Sequence, residues 1–129
     1  PIFVGGGIAH GPGGRVYKDR TPKKMKQKSL NMSLSNRILE NSVFVIDGSG
    51  IEKPSTKVAS EALKELSISK SFVFVYAEDD DFLIKSFRNL KKAKVTSVKK
   101  LSTFDVISND VVVFSENAMN SILDKKWSI

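Results

Sequence analysis

The chain has 129 residues, 40% of them hydrophobic and 27% charged, the balance of one folded domain with an arm to spare. It has no cysteine and one histidine, which excludes disulfide scaffolding, thiol catalysis and cysteine or multi-histidine metal sites. No run approaches the roughly 18 consecutive apolar residues of a membrane span, and residues 1–14 lack the basic-then-apolar order of a secretory signal, so the expectation is a soluble cytoplasmic protein.

The formal charge of +7 is concentrated at the start. Residues 1–28 carry Arg15, Lys18, Arg20, Lys23, Lys24, Lys26 and Lys28 against Asp19 alone, whereas the other 101 residues carry 14 basic and 13 acidic side chains. Six of the eight glycines precede position 15. Residues 1–20 therefore read as an extended, Gly-rich basic arm whose natural partner is a polyanion, and residues 21–129 as the folded body. The glycines do not make a phosphate cradle: GxxxxGK[ST] is absent, His10 stands where GxGxxG needs its last glycine, and no strand precedes the cluster. They suit instead a backbone that approaches RNA or DNA closely or threads a narrow space. The chain begins at Pro1 rather than methionine, which reads as a piece of a longer protein.

Pro22 to about Glu40 has helical spacing with two apolar stripes: Met25, Met32 and Leu39 on one side, Leu30, Leu34 and Ile38 on the other. One stripe is expected to pack on a sheet, leaving the second for further protein or a partner. Ser42–Ile46, Ser71–Ala77, Lys94–Val98 and Val111–Phe114 are short β-branched and aromatic runs, three of them continuously apolar, as strands buried on both faces are. Helical patterns separate them. One carries Val58, Ala59, Ala62, Leu63 and Leu66 after Pro54-Ser55, and another carries Leu83, Phe87 and Leu90 after Asp79 to Asp81. Ser102 with Asp105 resembles a capping box for a short helix through Ile107, and Ser115 opens a last helix with Ala118, Met119, Ile122 and Leu123. Strand and helix in alternation predict a three-layer α/β/α domain with a small, mainly parallel sheet of about four strands.

Asp47 and Glu78 to Asp81 fall at the carboxy ends of predicted strands, where open α/β sheets bind ligands. They define the alternative reading, an aspartate-based phosphoacceptor or magnesium-dependent domain with Lys99 or Lys100 as basic partner. The acidic run is better explained as the first turn of a helix, where negative charge meets the positive end of the dipole. His10, a lone histidine among glycines, reads as a stacking or hydrogen-bonding group rather than a general base. No catalytic residue, metal or cofactor is assigned. From Phe82 to Phe104 there is no acidic residue, but Lys85, Arg88, Lys91, Lys92, Lys94, Lys99 and Lys100 are present, a second candidate for phosphate contact.

The run PIFVGGGIAHGPGGRVYKDRTPKKMKQKSLNMSLS, with VGGG-x-x-x-GP spaced before PKK, resembles the end of the extended loop and first long helix of the bacterial-type large-subunit ribosomal protein four family. KSFRNL at Lys85–Leu90 and LSTFDV at Leu101–Val106 are similar to later motifs of that family, in the same order. The pattern differs at Gly14, where a proline usually precedes the arginine, and at Val16, where an acidic residue is common. The resemblance implies a carboxy-terminal portion lacking the first strand, neighbouring helices and loop tip. It also implies a structural, non-enzymatic constituent of the large subunit. Such a protein binds large-subunit ribosomal RNA near its 5′ end early in assembly, touches neighbouring ribosomal proteins, and lends a loop to the polypeptide exit tunnel, with no membrane and no small-molecule substrate. Carried onto matching positions, Gly5, Gly6, Gly7, Gly11, Arg15, Tyr17, Lys23 and Lys24 would contact RNA. Lys18, Arg20, Lys26, Lys28 and Arg88 would join them through charge, and Tyr17 or His10 would stack on an unpaired base.

Overall fold

The computed structural model describes residues 3–8, 10–14, 20–48, 53–77 and 80–124. Four strands, β1 (Val43–Ile46), β2 (Phe72–Tyr76), β3 (Ala93–Ser97) and β4 (Val111–Ser115), form one sheet in the order β1-β4-β2-β3. Every pairing is parallel, with Phe72 opposite Val111 and Ala93, and Val43 opposite Val112. The two central strands, β4 and β2, are the most deeply buried, and alternate side chains feed opposite cores.

Among the described residues, five helices cover the two faces: α1 (Lys23–Leu39), α2 (Thr56–Glu65), α3 (Asp81–Arg88), α4 (Thr103–Ser108) and α5 (Glu116–Asp124). On one face Val73, Val75, Val112 and Phe114 pack with Leu30 of α1, Val106 of α4 and Ala118 of α5. On the other, Phe72, Phe74, Val111 and Val113 pack with Ala59 and Leu63 of α2 and with Leu83 and Phe87 of α3. Phe87 anchors the second layer, stacking on Phe74 with centroids 4.3 Å apart and meeting Phe72 edge-on at 6.4 Å. This is the expected three-layer α/β/α domain.

Polar groups close the helix ends. Ser55 accepts from Val58 N at the start of α2, and Ser102 and Asp105 form the reciprocal capping box of α4. Ser115 Oγ accepts from Ala118 N at 3.1 Å as β4 runs into α5. After α1, Ser42 N bonds Arg37 O and Asn41 N bonds Ile38 O, both at 3.0 Å; after α2, Ile68 N bonds Leu63 O and Ser67 N bonds Lys64 O, both at 2.9 Å. These are two Schellman motifs, with Asn41 (φ 53°) and Ser67 (φ 55°) where glycine is usual.

Helix α1 decides between its two stripes. Leu30 is buried and Leu34 packs beside it, while Met25, Met32 and Leu39 are exposed. Ile38 departs from the expected grouping and is 58% exposed, because α1 is about to end and the core no longer reaches it. A groove of about 640 Å³ between α1 and α4 is lined by Met25, Met32, Arg37, Thr103 and Ile107, among others.

Candidate nucleic-acid interface

In the arm, a turn closes on Phe3, with Gly6 N bonded to Phe3 O at 3.0 Å and Gly5 at φ 79°, a conformation that favours glycine. Gly5, Gly6, Gly7, His10, Gly11, Gly13 and Gly14 are all exposed. A Cβ added at Gly5, Gly7, Gly13 or Gly14 would meet nothing within 4 Å, so packing does not require glycine at these positions and only the backbone angle of Gly5 favours it. Phe3, Val4 and Ile8 are likewise almost wholly exposed. Of the other predicted contact residues, Arg15, Tyr17 and Lys18 lie outside the described residues, and Arg20 is exposed just before α1.

The first turns of α1 hold the densest charge. Lys23, Lys24, Lys26 and Lys28 all project into solvent, and the first turn contains no acidic residue. Pro22 begins the helix without a side-chain cap. Four ammonium groups beside uncapped N–H groups, at the positive end of the dipole, repel one another and the helix end. The arrangement is electrostatically unfavourable until an anion is placed against it.

The later motifs divide their labour. Within KSFRNL, Ser86 is buried, accepting from Ser55 N at 2.9 Å and donating to Phe82 O at 2.8 Å, so it joins α3 to the start of α2. Phe87 is core, and Arg88 faces solvent at the end of α3, as do Lys85 and Asn89, well separated in sequence from the arm. Within LSTFDV, Leu101 and Val106 are core and Ser102 and Asp105 make the cap. Asp105 also pairs with Lys94 of β3, whose ammonium lies 5.7 Å from the Phe104 ring centroid. Burial alone would push the Asp105 carboxyl up, but hydrogen bonds from Lys94 and Ser102 outweigh it and hold the group below its ordinary range.

The acidic residues of the alternative reading do other work. Glu78 and Asp79 lie outside the described residues, and Asp81 opens α3 as expected. Asp80 is buried but does not cap α3; it accepts from Ala77 N at 3.0 Å, from Asn117 Nδ2 at 2.8 Å and from Ser115 Oγ. Its carboxylate thus ties the β2–α3 turn to the β4–α5 junction, a role that sequence spacing does not reveal because Asn117 lies 37 residues away. Asp47 is exposed, and Lys99 and Lys100 sit in a single 3-10 turn, Val98–Lys100, after β3. Among the described residues, no group of three histidine, aspartate or glutamate side chains is placed to share a metal ion.

Comparison with known proteins adds an independent observation. A sequence model described as the ribosomal protein L4/L1 family matches residues 1–125. The chain is 41% identical over 123 residues to the large ribosomal subunit protein uL4 of Cytophaga hutchinsonii, covering 95% of this chain and 59% of that protein. It is 39% identical over 126 residues to the protein of the same name from Corynebacterium kroppenstedtii, covering 97% and 58%. The corresponding protein of Aquifex aeolicus is 38% identical over 126 residues, covering 96% and 63%. The chain therefore spans about three-fifths of the length of these relatives.

Proposed function

The chain belongs to the ribosomal protein L4/L1 family, and from that membership we propose that it is a structural constituent of the large ribosomal subunit that binds large-subunit ribosomal RNA through its arm and the start of α1. The observation that carries this is the exposed cluster Lys23, Lys24, Lys26 and Lys28 at an acid-free helix start. Phosphates placed there would satisfy N–H groups and ammonium charge together, releasing counterions from the RNA.

In this reading residues 1–20 are the end of a loop that follows RNA toward the exit tunnel, and residues 21–129 are the globular body that positions it. Gly5, Gly6, Gly7 and Gly11 let the backbone approach the RNA surface, Arg15, Lys18 and Arg20 meet phosphates, and Tyr17 or His10 stacks on an unpaired base. Arg88 would add a phosphate contact from the body. Binding near the 5′ end of the RNA places the protein among the early components of assembly, beside neighbouring ribosomal proteins in the cytoplasm. No reaction is assigned to it.

The test is filter binding to purified bacterial large-subunit ribosomal RNA across a salt series. Replacing Lys23 and Lys24 with alanine should make the slope of log K against log salt shallower by about 1 to 2, at roughly 0.7 to 0.9 per phosphate contact. An unchanged slope removes both lysines from the interface.

A further inference from the structure

The near-neutral body conceals a strong internal segregation of charge. Residues 42–81 hold eight acidic and four basic side chains, residues 105–129 hold four acidic and two basic, and residues 82–104 between them hold seven basic and no acidic ones. The fold lays most of this basic segment along one border of the molecule. Among the described residues, strand β3 is an edge strand that pairs only with β2. Lys91 and Lys92 are exposed where the chain enters it, Lys94 is exposed within it, and Lys99 and Lys100 are exposed in the turn that leaves it. A five-residue strand spans about 16 Å, so these cations extend along the whole edge of the sheet.

Resting on the RNA-binding reading above, we propose that the β3 edge, from Lys91 and Lys92 through Lys94 to Lys99 and Lys100, is a second surface for the RNA phosphate backbone, separate from the arm. Within it, Lys94 pairs with Asp105. Lys92 Nζ donates to the Ser69 carbonyl at 3.0 Å, a contact that orients the ammonium without neutralising it. Guarding an open sheet edge against strand pairing requires only a charge or two within the strand, as Lys94 provides. Lysines continued beyond both ends of the strand exceed that requirement. A row of flexible point charges with little geometric constraint suits backbone phosphates rather than base edges, so this surface positions the body on RNA without reading sequence.

Amine acetylation of the full chain, with and without purified bacterial large-subunit ribosomal RNA and read by mass spectrometry, tests the proposal. Lys91, Lys92, Lys99 and Lys100 should lose reactivity when RNA is present, whereas Lys57 and Lys64 on α2 should keep it. Replacing the four edge lysines with glutamine should make the salt slope of RNA binding shallower by roughly 3, at about 0.7 to 0.9 per contact. Protection of Lys23 and Lys24 with an unprotected β3 edge overturns this second surface and leaves the arm reading intact. Protection of neither overturns both. Protection of the edge alone supports the surface and removes the arm from the interface.

Discussion

Arg37 of α1 donates from Nη2 to the Asn109 carbonyl at 2.8 Å, across 72 residues of sequence. The same guanidinium reaches Val106 O from Nε at 3.2 Å and Ile107 O from Nη2 at 3.1 Å, and its Nη1 pairs with Glu40. Helix α4 has only six residues and no basic residue in its last turn, so it has no cation of its own to meet its terminal carbonyls. Arg37 supplies that cation from a neighbouring helix and fastens α1 to the body. Arg37→Ala should therefore cost about 1 to 3 kcal/mol of unfolding free energy in a urea titration, and Arg37→Lys should recover only part, since a single ammonium nitrogen does not reproduce the guanidinium fork whose Nε and Nη2 span the three carbonyls. Full recovery by lysine would reduce the contact to simple charge.

Acid sensitivity should trace in part to Asp105. Its carboxyl is held below the ordinary value of 3.8 by Lys94 and Ser102 acting against burial. A group whose folded value is depressed contributes stability that is present above its unfolded value and lost as pH falls through the folded one. Asp105→Asn should thus be less stable than the parent at pH 7, with the gap closing below about pH 4. The check is urea unfolding of both proteins from pH 7 to pH 3. A gap independent of pH would show that the capping geometry, not the charge, is what the variant loses.

The strands β2 and β4 were legible because both faces are buried, so FVFVY and VVVFS read as continuous apolar runs. The caps of α2 and α4 were legible because they are local, three residues from donor to acceptor. The sheet order β1-β4-β2-β3 was not, since it depends on contacts that no local pattern encodes. The same holds for Arg37 and Asp80, whose partners are tens of residues away. Helix α1 lies between these cases: its two stripes were readable from periodicity, but which one packs depends on the shape of the sheet face it meets. At the candidate site, exposure of Lys23 to Lys28 follows from charge and from the proline before them. The alignment of the later lysines along one sheet edge required knowing that β3 is that edge.

The two Schellman motifs offer a comparison inside one molecule. Ser67 and Asn41 both occupy the left-handed conformation, at φ 55° and 53°, and both are exposed. A side chain with a Cβ costs about 1 to 2 kcal/mol there, while asparagine tolerates the region better than serine because its short amide bonds locally. Glycine removes the steric cost but adds about 0.4 to 1 kcal/mol of chain entropy to the unfolded state. Ser67→Gly should therefore stabilise the domain by a few tenths to about 1 kcal/mol, raising the melting temperature by roughly 1 to 5 °C, and Asn41→Gly should gain less. Differential scanning calorimetry of the two variants beside the parent decides it. A lower melting temperature for Ser67→Gly would mean that the serine makes a contribution beyond its backbone angle, and an Asn41→Gly gain as large as that of Ser67→Gly would remove the distinction between the two side chains.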